Sequence, residues 1–384
     1  MTMSSPTIAD PTATASAGDT PTPLDGAVRA NTRTRGFHTL TVADVESLCD
    51  DAVAVRFDVP DELRTAFDFR PGQSLTLRRE VDGVEHRRTY SICAPAGQAP
   101  RVGVREVTGG LFSTWLVREV RAGDRIDVQP PAGAFHADPG IAARHLLIAA
   151  GSGITPMLSI ASSVLANPQA AVTLIYVNRR TRSVMFAEEL ADLKDEYRSR
   201  IEIIHVLSRE PRDVELFSGR LDRERLGEIL ESVVAVDDID HAWLCGPLEM
   251  VDGAQQTLRE YGIGADRIHH ELFYVEGAAP AVDRHREPGV TGPTSAVTIV
   301  LDGRAVTGDL PQDQTLLDAG EQLRADMPFA CKGGVCGTCR AKVTCGEVDM
   351  HRNYALEESE VDAGFVLTCQ AFPVSDTVTV DFDA

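Results

Sequence analysis

At 384 residues the chain has length for two or three domains, taking about 150 residues for each. Its 43% hydrophobic and 25% charged residues are those of a globular protein with room for real cores, and no uninterrupted apolar run is long enough for a membrane-spanning helix. A net charge of −21 provides no basic face for a phosphate backbone, which excludes nucleic acid as the partner.

Residues 1–35 are rich in Ser, Thr, Ala and Pro, lack the apolar core of a secretory signal, and are expected to be a disordered tail. From residue 37 the stretches FHTLTVADVES, AVAVRFDVP, SLTLRREV, RRTYSIC, RVGVREV and DRIDVQPP read as short strands separated by turn formers, the pattern of an antiparallel β-barrel. One helix, GLFSTWLVREV, interrupts them. Past residue 139 the apolar runs HLLIAAG, AVTLIYVN, IEIIHVLS and HAWLCGP alternate with stretches of helical period such as MFAEELADLKDEYRSR, so a parallel α/β sheet covered on both faces is expected. Residues 276–294 are rich in Pro and Gly with no apolar period and read as a linker. The ending is β-rich, with one helix predicted in QTLLDAGEQLRAD. The predicted organisation is a tail (1–35), a barrel (36–138), an α/β domain (139–275), the linker and a C-terminal domain (295–384). In that last domain fifteen Asp and Glu stand against six Lys and Arg. Such a surface can steer a basic partner or simply keep the domain soluble.

Without a secretory signal a chain of this size has no need of disulfides, which points to the cytoplasm and to metal or catalysis for its cysteines. Cys331, Cys336 and Cys339 are followed by Cys369, which is the C-x4-C-x2-C…C spacing of a plant-type 2Fe-2S cluster. Zinc ribbons use two separated C-x2-C knuckles, and only one is present. Gly333, Gly334 and Gly337 let the loop wrap its amides around a compact anion. Cys345 lies at the wrong spacing to be a ligand.

A cluster that takes electrons singly needs a source. In RRTYS, Arg88 can hold a pyrophosphate, the Tyr90 ring can lie on a flat heterocycle, and Ser91 can hydrogen-bond a ring nitrogen. Gly110 and Ser113, in GGLFS, open the barrel domain's helix and offer an anion site. AAGSGITPM follows the first apolar strand and opens a helix with Pro156 in its first turn, the strand–Gly-x-Gly–helix form of a dinucleotide site, although Pro156 breaks the full G-x-G-x-x-G fingerprint. LCGPLEM follows a later strand in the same way, with Cys245 apolar enough to line a nicotinamide pocket. EIIH (202–205) imitates half of a di-iron motif but occurs once and on a strand-like run. His269 and His270, being adjacent, should point apart and lie at the surface.

In this order the motifs resemble the ferredoxin–NADP reductase superfamily fused to a plant-type ferredoxin domain, over roughly residues 36–384. FHTLTVADVES, RRTYSIC, AAGSGITPML, PFACKGGVCGTC, NYALE and VLTCQAFPVSDTVTVDFDA are most similar to the family of phenylacetyl-CoA epoxidase reductase subunits. The resemblance implies an antiparallel FAD-binding barrel, a parallel α/β NAD(P)-binding domain and a β-grasp 2Fe-2S domain. It also implies electron transfer from NADPH through FAD and the cluster to a separate di-iron oxygenase. Carried over by position, Arg88, Tyr90 and Ser91 match the flavin motif, and Gly110 and Ser113 the flavin-phosphate loop. Gly151, Gly153, Thr155 and Pro156 match the nicotinamide-nucleotide loop, with Cys245, Gly246 and Pro247 beside the nicotinamide. Glu271 and Phe273 match the segment returning to the flavin, and Cys331, Cys336, Cys339 and Cys369 the cluster ligands. Ser91, Cys245 and Glu271 form the expected catalytic set. Ser208 and Arg209 sit where relatives grip a 2′-phosphate, which favours NADPH, although NADH-using relatives carry similar residues. Two other readings compete: the reductase of a Rieske-type ring or steroid hydroxylase, and a flavin/iron–sulfur redox sensor without turnover.

Overall fold

The structure is a computed structural model that describes residues 36–274 and 292–384. The predicted tail and most of the predicted linker lie outside the described residues. No described helix is long and apolar enough to cross a membrane.

The first sheet is antiparallel, built from β1 (His38–Cys49), β2 (Ala52–Asp58), β3 (Ser74–Val81), β4 (Val84–Ser91), β5 (Arg101–Arg105) and β6 (Arg125–Val128), in the order β4-β3-β6-β1-β2-β5. A bridge between Ile92 and Val102 joins the two outer strands and curls the sheet into a barrel. Alternating residues such as Leu40, Val42, Val53, Val55, Leu75 and Leu77 fill its core. The β3–β4 hairpin turns on Asp82 and Gly83, both at positive φ (52° and 77°), the pairing that a two-residue hairpin favours. Helix α1 (Leu111–Arg118) seals one end of the barrel with Phe112 and Leu116.

The second sheet is parallel: β7 (Arg144–Ala150), α2 (Ile154–Val164), β8 (Ala171–Asn178), α3 (Ala187–Tyr197), β9 (Ile201–Leu207), α4 (Arg223–Ser232), β10 (His241–Pro247), α5 (Leu248–Glu260) and β11 (Ile268–Tyr274). Its strand order is β11-β10-β7-β8-β9. The chain therefore runs outward from β7 on one side and then returns to β7's other flank. Two loops leave adjacent strands β7 and β10 in opposite directions, and the crevice between them is where doubly wound sheets bind ligands. Apolar side chains cover both faces. One cluster, around Leu147, Met157, Tyr176 and Trp243, continues into the barrel through Ala52, Ala54 and Cys93.

The last domain comprises β12 (Thr294–Leu301), β13 (Arg304–Pro311), α6 (Leu316–Gly320), β14 (Arg340–Cys345), β15 (Val348–Met350), α7 (Glu358–Asp362), β16 (Phe365–Leu367), β17 (Ala371–Pro373) and β18 (Thr377–Asp381). The main sheet, β13-β12-β18-β14-β16, is mixed, with β12 and β18 parallel and α6 packed on it, a β-grasp. Two local departures from the sequence pattern occur. The predicted 314–326 helix is helical only over Leu316–Gly320, because Gly320 packs under Met327, whose Sδ would lie 2.6 Å from an added Cβ, and the chain must turn there. Helix α7 has no long apolar period to announce it. Its start is fixed by reciprocal bonding between Glu357 and Glu360.

Candidate functional site

Strand β4 carries RRTYS and presents different residues on its two faces, as strand alternation requires. Arg88 and Tyr90 share one face. Arg88 is exposed and donates to the Arg87 carbonyl at 2.6 Å. The half-buried Tyr90 ring lies 6.1 Å from the Phe112 ring of α1, and burial pushes its phenol pKa up. Gly110 caps that helix, and a Cβ there would lie 2.6 Å from Ser113 Oγ and 2.9 Å from the Val107 carbonyl, so the tight cradle requires glycine. The Ser113 hydroxyl accepts from Val107 N at 3.1 Å, which leaves its own proton free for an anion.

The opposite face of β4 ends at Ser91, whose buried hydroxyl donates to Glu271 Oε2 at 3.1 Å. Burial raises the Glu271 carboxyl to about 7, and the Ser91 hydrogen bond opposes the shift. Glu271 pairs in register with Cys245 across β11 and β10. Cys245 is fully buried, and desolvation with the neighbouring carboxylate keeps it a neutral thiol. The structure thus gathers Ser91, Cys245 and Glu271, drawn from both domains, with Phe273 packed half-buried on the shared core.

Gly151 has φ +56° and opens the turn into α2. A Cβ on Gly153 would lie 2.2 Å from the Cys245 carbonyl oxygen, so the two predicted nucleotide loops touch backbone to backbone. Thr155 is fully buried, donates to the Ser152 carbonyl at 3.0 Å, and packs its methyl into the space above Gly103 of the barrel. Pro156 lies in the first turn of α2, where a missing N–H costs nothing. Gly246 is buried against Met250 and Ala150, and Pro247 is exposed at the start of α5. Ser208 and the exposed Arg209 follow β9, their amides bonded to the carbonyls of Asn178 and Arg179. They stand away from the Ser91–Cys245–Glu271 group, further along the carboxyl edge of the same sheet.

Cys331 lies beside Cys336 and Cys339 beside Cys369, and the two pairs adjoin, so the four predicted ligands share one neighbourhood. Among the described residues no three His, Cys, Asp or Glu converge on one point. Cys331, Cys336, Cys339 and Cys369, at C-x4-C-x2-C…C spacing, are the residues that would hold a 2Fe-2S cluster. Gly333 N donates to Cys331 Sγ at 3.3 Å, and amides of Val335 and Gly334 also reach thiols of the set. The neighbouring Cys336 thiol, with the amides of Gly333 and Val335 behind it and burial opposing, holds Cys331 down to about 5. The residues fit a 2Fe-2S cluster. Cys345 is exposed at the end of β14, outside both pairs.

The expected surface position of the two histidines is corrected. Both are half-buried on β11, and His269 stacks on Trp243 with centroids 4.2 Å apart, because Trp243 is its register partner on β10. EIIH does lie on a strand, β9. A cavity of about 270 Å³ separates the domains, with Glu271, His270 and Phe135 on one wall and Cys336, Arg340 and Glu357 on the other. Motif spacing does not single out the contacts beside it. Arg87 reaches Met327 O at 3.1 Å, and Thr89 Oγ1 meets Thr338 Oγ1 at 3.2 Å, inside the cluster loop. The available signal is the polarity of the odd-numbered positions of β4.

Family models agree with this layout: an oxidoreductase FAD-binding domain matches residues 39–137, an oxidoreductase NAD-binding domain 147–256, and a 2Fe-2S iron–sulfur cluster binding domain 299–374. Over 357 residues the chain is 43% identical to one of the subunits of the 1,2-phenylacetyl-CoA epoxidase of Escherichia coli (strain K12), covering 91% of this chain and 98% of that one. The chain belongs to this reductase family. It is a flavin-, nicotinamide- and iron–sulfur-dependent oxidoreductase. The reductase is also 34% identical over 349 residues to the ferredoxin reductase component of 3-ketosteroid-9-alpha-monooxygenase from Rhodococcus rhodochrous, covering 89% of this chain and 96% of that one. Phthalate dioxygenase reductase, a solved structure for electron transfer from pyridine nucleotides to [2Fe-2S], shares the fold at 22% identity and TM-score 0.55, over 91% of this chain and 99% of its own.

Proposed function

We propose that the chain is the reductase component that passes electrons from NADPH, by way of FAD and a 2Fe-2S cluster, to a separate di-iron oxygenase of the phenylacetyl-CoA 1,2-epoxidase type in aerobic phenylacetate degradation. One observation carries the electron path. Thr89, the residue before Tyr90, touches Thr338, which lies between Cys336 and Cys339. When bound, FAD supplies the conversion of two-electron hydride chemistry into the single-electron steps that a 2Fe-2S cluster carries.

Each group in the site has a task in this reading. Gly151, Gly153 and Thr155 receive the dinucleotide phosphates at the amino end of α2, and Arg209 with Ser208 takes the 2′-phosphate that distinguishes NADPH. Cys245, small, neutral and dry, leaves the nicotinamide room to lie flat, with Gly246 and Pro247 beside it. Arg88, Gly110 and Ser113 hold the flavin pyrophosphate, Tyr90 and Phe273 flank its ring, and Ser91 with Glu271 holds a proton at the ring's reacting edge. Cys331, Cys336, Cys339 and Cys369 would hold the cluster.

The acceptor rests on the 43% identity to an epoxidase component across nearly the whole chain. The identities of 34–36% to steroid monooxygenase reductases support a Rieske-type acceptor as the second reading. Adding NADPH to the protein without oxygen tests the core of the proposal. Flavin and cluster absorbance should both bleach within turnover times, and failure of either would refute it. Supplying a di-iron epoxidase or a Rieske oxygenase as acceptor then separates the two readings by which one turns over.

A further inference from the structure

We propose that Arg87 is a positioning residue that clamps the cluster domain onto the flavin domain and so sets the rate at which electrons cross between them. The proposal rests on the electron path proposed above and adds the residue that holds it together. Arg87 precedes the flavin motif and lies on the other face of β4 from Arg88 and Tyr90. Its side chain is only 6% exposed, yet it belongs to neither domain's core. Nε donates to Glu85 Oε1 at 2.7 Å within the barrel domain. Nη1 donates to the carbonyl of Met327 in the cluster domain at 3.1 Å. The guanidinium plane lies 4.0 Å from the centre of the Phe329 ring and 5.1 Å from that of Phe37.

A desolvated cation is costly unless its donors are met. Nε and Nη2 keep Glu85 in either state, but Nη1 and the nearer face of the guanidinium are met only while the two domains are docked, since the carbonyl and the Phe329 ring both come from the segment leading into Cys331. Separation of the domains removes both. Two residues further along the same face, Thr89 meets Thr338. A strand rise of about 3.3 Å per residue puts the clamp within about 7 Å of the point where the cluster loop touches β4. Electron tunnelling falls steeply with distance, so loosening this contact slows transfer without touching the nicotinamide pocket. Each NADPH oxidised supplies two electrons and releases one proton once two one-electron acceptors have been reduced, so the clamp is used twice per turnover.

The test uses the holoprotein with two variants on opposite sides of the contact. Arg87→Met keeps the stem and removes the donors and charge, and Phe329→Leu removes the ring and leaves Arg87 intact. After anaerobic mixing with NADPH, the flavin band should bleach at the wild-type rate in both. The cluster signal should follow about tenfold more slowly, equivalent to about 1.4 kcal/mol. Arg87→Lys, which keeps the charge but not the planar fork, should fall between wild type and Arg87→Met. Hydrogen exchange in the oxidised proteins supplies a readout independent of turnover, with residues 86–90 and 326–330 exchanging faster in both variants. Wild-type cluster reduction in the two variants, with unchanged exchange, overturns the clamp. So does loss of flavin from Arg87→Met while Phe329→Leu behaves as wild type. A wild-type cluster that NADPH never bleaches instead removes the electron path, and the clamp with it.

Discussion

Replacing Glu271 with Gln tests the electrostatics of the site most directly. In the folded protein the carboxyl sits at about 7 in place of its ordinary 4.5, because burial disfavours the charged form. The folded state therefore binds more protons than the unfolded chain between those values, and stability falls as pH rises from 4.5 to 7. At 1.36 kcal/mol per pH unit the full effect is about 3 kcal/mol. Glu271 is only half-buried by surface, and allowing for solvent in the adjoining cavity leaves about 2 kcal/mol. Glutamine keeps the shape and cannot ionise, so the variant should match wild type near pH 5 and exceed it by about 2 kcal/mol at pH 8. Calorimetry across that range would show the gap opening as a melting difference of several degrees. A difference that stays constant from pH 5 to pH 8 would refute the claim that a buried, ionisable Glu271 strains the site. With NADPH the same variant should reduce its flavin more slowly, with a rate that no longer varies with pH around 7.

Cys336→Ser should leave NADPH oxidation by ferricyanide largely intact and abolish transfer to the oxygenase, and equal loss of both activities would contradict the assignment of the cluster to the last domain. Cys345→Ser should leave the visible and paramagnetic spectra of the cluster unchanged. Gly153→Ala forces a Cβ to within 2.2 Å of the Cys245 backbone, which no side-chain rotation relieves, so a loss of about 1–3 kcal/mol in stability and a raised KM for the nucleotide are expected from melting and steady-state assays. Arg209→Ala should raise KM for NADPH much more than for NADH; equal effects on both would remove its role at the 2′-phosphate.

Elements whose pattern is local are legible from the residues alone. Alternation in the barrel, continuous apolar runs in the parallel sheet and the spacing of Cys331, Cys336, Cys339 and Cys369 each carry their own period. Contacts set by domain packing are not. Nothing near His269 in the chain announces Trp243, because the stack is created by the parallel register of β10 and β11. The same holds for Arg87, whose carbonyl partner in the last domain, Met327, lies 240 residues away. Helix α6 is shorter than its pattern predicts because the apolar period continues past Gly320, and only the tertiary position of Met327 stops it.

Strand β4 is a party wall between two tenants. Arg88 and Tyr90 face one way and Arg87, Thr89 and Ser91 the other, and the two-residue turn at Asp82 and Gly83 fixes that parity. Inserting a single residue between that turn and Arg87 would turn Arg88 and Tyr90 to the other face and take Arg87 and Thr89 away from Met327 and Thr338. Any descendant of this chain that exchanges its C-terminal module for another electron carrier is therefore free to rewrite positions 87 and 89, but not the length of the hairpin that presents them.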